Sequence, residues 1–138
     1  MASIATLGSH CALQVLKGAK DEGFKTVLIC EKKRERLYRR FKFIDELFIV
    51  DSFIEITDKK CESVLQENDS ILIPHGTLIA QMDSEQIESI KTPVFGNKYI
   101  LRWESDRMLK EQLMKEAKLN VPKSLSSPKE ISSLVIAK

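Results

Sequence analysis

The sequence predicts an α/β fold built on an open, doubly wound parallel sheet, and three observations carry that expectation. Short apolar runs alternate with stretches of helical spacing along most of the chain. Glycines punctuate the changes of pattern, at Gly8 and again at Gly23. The connections between apolar runs are long enough to hold a crossover helix, which parallel neighbours require and a tight hairpin cannot supply.

Residues 4–7, Ile4, Ala5, Thr6 and Leu7, predict the first strand, which stops at Gly8. Ala12, Val15, Leu16 and Ala19 then share one side of a helix that Gly23 closes, and residues 26–30 supply a second, β-branched strand. Residues 31–40, EKKRERLYRR, read as a solvated loop or short surface helix. A second reading has Arg39 and Arg40, beside Tyr38 and Phe41, contacting a phosphate or another subunit. Residues 47–50 predict a third strand with Asp51 at its carboxyl end, where a turn-forming or helix-capping role outweighs a ribose contact because no G-x-G-x-x-G fingerprint is present.

Residues 54–66 predict one helix, broken near Thr57 and Asp58. Residues 71–73 follow as a fourth strand, which Pro74 terminates. Residues 78–91 have moderate helical character, and residues 93–97 read as a short strand ending in a turn. Ser105 is the expected N-cap of a helix through Leu109, Leu113 and Ala117, stopped by Pro122. After a loop over residues 124–128 and a helical turn at Lys129 and Glu130, residues 134–138 predict the start of a buried strand.

Composition narrows the function classes. The 138 residues, 43% of them hydrophobic, suffice for one real core. With 22 basic and 20 acidic residues the net charge is only +2, so neither nucleic acid nor an anionic membrane surface is an expected partner. No basic region precedes a long apolar run at the N-terminus, and no stretch approaches the roughly 20 apolar residues of a membrane span, which predicts a cytoplasmic chain. Cys11, Cys30 and Cys61 are odd in number and far apart, a pattern of buried or half-buried thiols rather than a disulfide framework or a zinc site.

The candidate site is a pair of turns. Gly8, Ser9 and His10 follow the first strand and open a helix, where unpaired N–H groups suit an anion. His75, Gly76 and Thr77 follow the fourth strand with the same residue types. Both histidines of the chain stand in such turns, so a shared ligand crevice and two unrelated turn-capping roles are equally open readings. Arg102 is a further candidate, either for an anionic substrate or for a salt bridge between domains. No catalytic residue and no metal ligand is assigned.

These residues also carry a resemblance. GSHCALQVLKGAKDEGF, YRRFKFIDELFIVDSF, IPHGT and VFGNKYILRWESDRMLKEQLMKEA, taken in order, resemble the amino-terminal part of the archaeal formate-dependent AICAR formyltransferases, or FAICAR synthetases, of the ATP-grasp superfamily. The resemblance implies a preATP-grasp, Rossmann-like substrate-binding domain over residues 1–97. Residues 98–138 would be a connecting segment and the first elements of a truncated ATP-grasp domain. It implies an ATP- and magnesium-dependent ligase that activates formate, as formyl phosphate, and formylates the amine of AICAR on the way to inosine monophosphate.

On this resemblance His10 and Thr77 bind the ribonucleotide, Thr77 standing where relatives commonly carry serine, and Lys138 points toward the nucleotide phosphates. AICAR and formate are the implied small-molecule substrates and a homo-oligomer the implied assembly. The magnesium ligands of the family lie beyond the position matching Lys138. The expectation is therefore a portion inactive by itself, with a second polypeptide as one source of the remainder; the alternative is a noncatalytic nucleotide-binding or partner subunit with a vestigial site.

Overall fold

A computed structural model describes residues 2–125 and 127–136. Four strands, β1 (Ser3–Leu7), β2 (Lys25–Glu31), β3 (Glu46–Val50) and β4 (Ser70–Leu72), form one sheet in the order β3-β2-β1-β4. All pairings are parallel, with Ala5 opposite Val27 and Leu72, and Ile29 opposite Phe48. The helices are α1 (Ala12–Asp21), α2 (Glu35–Tyr38), α3 (Lys59–Glu67), α4 (Gly76–Gln81), α5 (Ser84–Ser89), α6 (Leu101–Ser105) and α7 (Arg107–Glu116).

The double winding follows from the two-residue period of a strand. On β2, Val27 and Ile29 point into a cluster with Phe53, Ile56, Leu65, Leu78 and Ile87. Leu28 and Cys30 point the other way, onto Ala12 and Leu16 of α1 and onto Tyr38. A strand covered on both faces must be apolar at successive positions, which is why β2 reads as a continuous run instead of an alternating one. Burial pushes the thiols of Cys30 and Cys61 up to about 11 and about 12, and both remain buried while Cys11 is half-buried.

Several local expectations are corrected. The single helix expected over residues 78–91 is two, α4 and α5, because Asp83 caps a fresh start with a capping box to Gln86. The strand expected over residues 93–97 is a single bridge, Val94 to Leu72. The break expected near Thr57 and Asp58 is present, falling at Asp58 between a 3-10 turn (Phe53–Thr57) and α3. Ser52, not Asp51, makes the cap at that start, in a capping box with Glu55.

Asp106, not Ser105, caps α7, its carboxylate accepting from the N–H groups of Met108 and Leu109. That helix ends before Pro122: Lys118 turns left-handed at φ 56°, and Leu119 N–H reaches back to the Met114 carbonyl. The buried strand expected at residues 134–138 is contradicted where it can be seen, since Leu134 and Ile136 are exposed and in no strand. Ala137 and Lys138 lie outside the described residues. None of the described helices is long and apolar enough to cross a membrane.

Candidate functional site

β1 and β4 are adjacent in the sheet although 60-odd residues separate them, and the chain leaves β1 toward β2 on one side. The strand order reverses between β1 and β4, which is where open parallel sheets collect ligands. Gly8 makes the first turn possible. A Cβ there would lie 3.0 Å from Cε2 of Tyr38, 3.2 Å from the Ile29 carbonyl oxygen and 3.3 Å from Cα of Cys30. Its N–H donates to the Ile29 carbonyl at 2.7 Å, tying the turn to β2.

The two turns are bonded to each other. The hydroxyls of Ser9 and Thr77 share a hydrogen bond, both residues being buried. Nε2 of His75 lies 3.0 Å from the Leu7 carbonyl oxygen, while Nδ1 of the same ring accepts from the Thr77 N–H at 3.3 Å. One nitrogen must donate and the other accept, which fixes the neutral tautomer with the proton on Nε2. Burial lowers the pKa of His75 from its ordinary 6.5 and the nearby His10 adds to this, against the opposing pull of the Leu7 carbonyl. His10 is exposed at the rim, its ring centre 6.2 Å from that of His75. Thr6 adds a tie below the rim, its Oγ1 donating to the Ile73 carbonyl at 2.9 Å.

Of the residues singled out in sequence, the fold brings together Ser9, His10, His75 and Thr77, with Gly8 in the first turn and Gly76 opening α4 behind its cap, His75. Arg102 is not among them. It lies on α6 and pairs with Glu88 of α5 at 2.8 Å, and no hydrogen bond or ion pair among the described residues joins it to either turn. Lys138 falls outside the described residues. Asp51 is exposed, and its N–H donates to Glu55 at 2.9 Å.

Sequence reasoning missed Tyr38 and Arg34. Tyr38 donates its hydroxyl to the Ser9 carbonyl at 2.9 Å, and Nη1 of Arg34 reaches the Gly8 carbonyl at 3.4 Å. The available signal was the lone tyrosine within EKKRERLYRR, four residues after Arg34.

Two cavities lie elsewhere. One of about 480 Å³ is lined by Tyr38, Phe41 and Leu47, and one of about 330 Å³ by Thr92, Val94 and Tyr99; neither takes in Ser9, His10 or Thr77. The chemistry favours the rim over both. The two turns touch, so their polar groups converge on an open edge instead of an enclosed hollow, and α1 begins there with Cys11, whose side chain caps nothing. No group of three His, Cys, Asp or Glu among the described residues could hold a metal ion.

Residues 4–125 match the family model described as "Protein of unknown function (DUF1246)". The chain belongs to the DUF1246 family. Among curated relatives, the DUF1246 chain is 71% identical over its whole length to the 5-formaminoimidazole-4-carboxamide-1-(beta)-D-ribofuranosyl 5'-monophosphate synthetase of Nitrosopumilus maritimus, covering 40% of that protein. It is 48% identical to the synthetase of the same name from Methanocaldococcus jannaschii, over 99% of this chain and 38% of that one. The chain thus spans about two fifths of these relatives, in which the remainder belongs to the same polypeptide.

Among solved structures, an IMP biosynthesis protein PurP from Thermococcus kodakaraensis superposes with a TM-score of 0.76 at 32% identity, over 94% of this chain and 41% of that one. An N5-carboxyaminoimidazole synthetase from Staphylococcus aureus, solved with ADP, gives a TM-score of 0.62 at 15% identity over 84% and 30%. That second likeness is one of fold: the parallel α/β sheet expected from sequence is shared across them.

Proposed function

We propose that this chain is the ribonucleotide-binding, amino-terminal portion of a FAICAR synthetase, a ligase that uses ATP and magnesium to join formate to the amine of AICAR in purine biosynthesis. The observation that carries the reading is the bonded pair of turns at the β1/β4 switch point. They lie in a chain whose full length is 71% identical to a synthetase whose name is that of the formylated product.

The hydroxyl pair has a use for a ligand. Ser9 and Thr77 share one proton between their oxygens, which leaves the second hydroxyl proton free to be donated outward. His75, held neutral by burial and by its two backbone partners, fixes the second turn rather than contributing charge. His10 offers the exposed imidazole, and the start of α1 offers backbone N–H groups to a phosphate. Arg102 is engaged by Glu88, so a contact from it to substrate would first have to break that pair.

The acidic cluster that magnesium needs is not found among the described residues, so no step of nucleotide chemistry is assigned to them. We read residues 1–97 as the substrate-binding domain and residues 98–138 as the connection into the ATP-grasp domain. The remainder of that domain would lie on the same chain, as in the relatives, or on a second polypeptide, in a cytoplasmic homo-oligomer.

Calorimetric titration of the chain with AICAR tests the reading. Saturable binding is expected, weakened roughly tenfold by His10→Ala or Thr77→Val, the equivalent of about one hydrogen bond, with the melting temperature of His10→Ala unchanged. No heat at millimolar AICAR, or full binding in both variants, would refute it.

A further inference from the structure

We infer that Tyr38 is a positioning residue for the ribonucleotide site: through the Ser9 carbonyl it aims the Ser9 hydroxyl at Thr77, with Arg34 bracing the same turn. The inference rests on the function proposed above. Tyr38 comes from the charged segment after β2 that the sequence marks as solvated surface, yet it is only 3% exposed. Its ring packs with Ala12, Leu16, Leu28 and Cys30, and Gly8 leaves it room, since a Cβ there would meet the ring at 3.0 Å. A ring serving only as packing would need no hydroxyl at this place.

The hydroxyl lies beneath the first turn and donates to the Ser9 carbonyl at 2.9 Å. The Ala12 N–H donates to the same oxygen at 3.0 Å, so both lone pairs of that carbonyl are engaged and the peptide after Ser9 is held from two sides. Nη1 of Arg34 approaches the preceding carbonyl, that of Gly8, at 3.4 Å. Two consecutive carbonyls of a turn that carries a ligand-facing hydroxyl are thus fixed by side chains of one short helical segment. Burial raises the pKa of the phenol, so it keeps the proton it donates, although the adjacent guanidinium of Arg34 works against that rise. Ser9, 5% exposed, has its side-chain rotamer set by Thr77 on one side and its backbone set by Tyr38 on the other.

Tyr38→Phe removes one oxygen and retains the packed ring, and the Ser9 carbonyl keeps the Ala12 N–H, so the fold is preserved. AICAR affinity measured by calorimetry should fall about tenfold, the worth of one hydrogen bond, in Tyr38→Phe and about threefold in Arg34→Met. In a Ser9→Ala background, Tyr38→Phe should cost no further affinity, because the hydroxyl it aims is gone.

A tyrosine with a purely structural role would lower the melting temperature and leave the affinity of the folded protein unchanged. Wild-type affinity in both Tyr38→Phe and Arg34→Met overturns this inference alone, as does an undiminished Tyr38→Phe effect without the Ser9 hydroxyl. Absence of AICAR binding by the unmodified chain overturns it together with the function on which it rests.

Discussion

Residues 3–92 and residues 93–136 are built in opposite ways. The first stretch closes on itself: its sheet is covered on one face by α1 and on the other by α3, α4 and α5, and every buried residue among those described lies at or before Thr92. The second stretch has caps, ion pairs and helical periodicity but no buried residue among those described, and it meets the core of the first through the partly buried Val94 and Leu101. Met108, Leu119, Leu134 and Ile136 are 82%, 58%, 101% and 84% exposed. Lys98 and Arg102 nevertheless hold its start to α5, the lysine through the Glu88 and Ile90 carbonyls at 2.6 Å and the arginine through the Glu88 carboxylate. Local helix signals are therefore enough to form α7, whereas burial is what makes a segment resist unfolding.

The contrast can be broken most directly by cutting a leucine from each region. Leu16→Ala should cost about 2–5 kcal/mol in urea denaturation, because Leu16 is fully buried under the sheet. Leu113→Ala, on a residue 39% exposed, should stay within about 0.5 kcal/mol. Equal costs would mean that α7 is packed as tightly as α1.

Gly8→Ala sharpens the comparison within the first region. The added methyl must displace backbone at Ile29 and Cys30 as well as the Tyr38 ring, for a loss of about 1–3 kcal/mol by the same measurement. A cost below 0.5 kcal/mol, roughly the level of an ordinary surface change, would show that the turn has slack.

Acidification is the next test. His75 has its pKa lowered in the fold from 6.5, so as the pH falls the unfolded chain takes up its proton first. The stability that depends on neutral His75 is present above pH 6.5 and is lost as the pH drops through the folded value. Urea midpoints should decline from pH 7.5 to 5, and the decline should shrink in His75→Ala. An unchanged slope would assign the effect to other groups.

The smallest effect is expected where the exposure is greatest. Leu134→Ser and Ile136→Ser should leave stability within about 0.5 kcal/mol while reducing the binding of an apolar dye.

Much of this was legible in the residues. The strands at residues 4–7, 26–30 and 47–50, α1 with its apolar side, and the parallel order follow from period and punctuation, because those signals are local and β2 is apolar at successive positions from Val27 to Cys30. The failures have physical causes too. Residues 134–136 are as apolar as β2, but a strand needs a neighbour to satisfy its backbone, and no described strand pairs there. Ser105 and Asp106 are both good N-caps, and only the course of the backbone after α6 decides that Asp106 takes the role.

By itself, then, the sequence determined the four strands of the sheet, α1 and α7 as elements, and that Gly8 to His10 and His75 to Thr77 would stand at strand exits. What only the tertiary structure decided is that these two turns touch. β1 and β4 meet because the sheet order reverses between them, a consequence of packing across the whole sheet that no local signal encodes. The same packing turned Tyr38 from a charged surface segment inward to the Ser9 carbonyl, and it gave Arg102 to Glu88. Spacing along a chain fixes the direction of a side chain on its own element; its partner is fixed by the element that arrives from elsewhere.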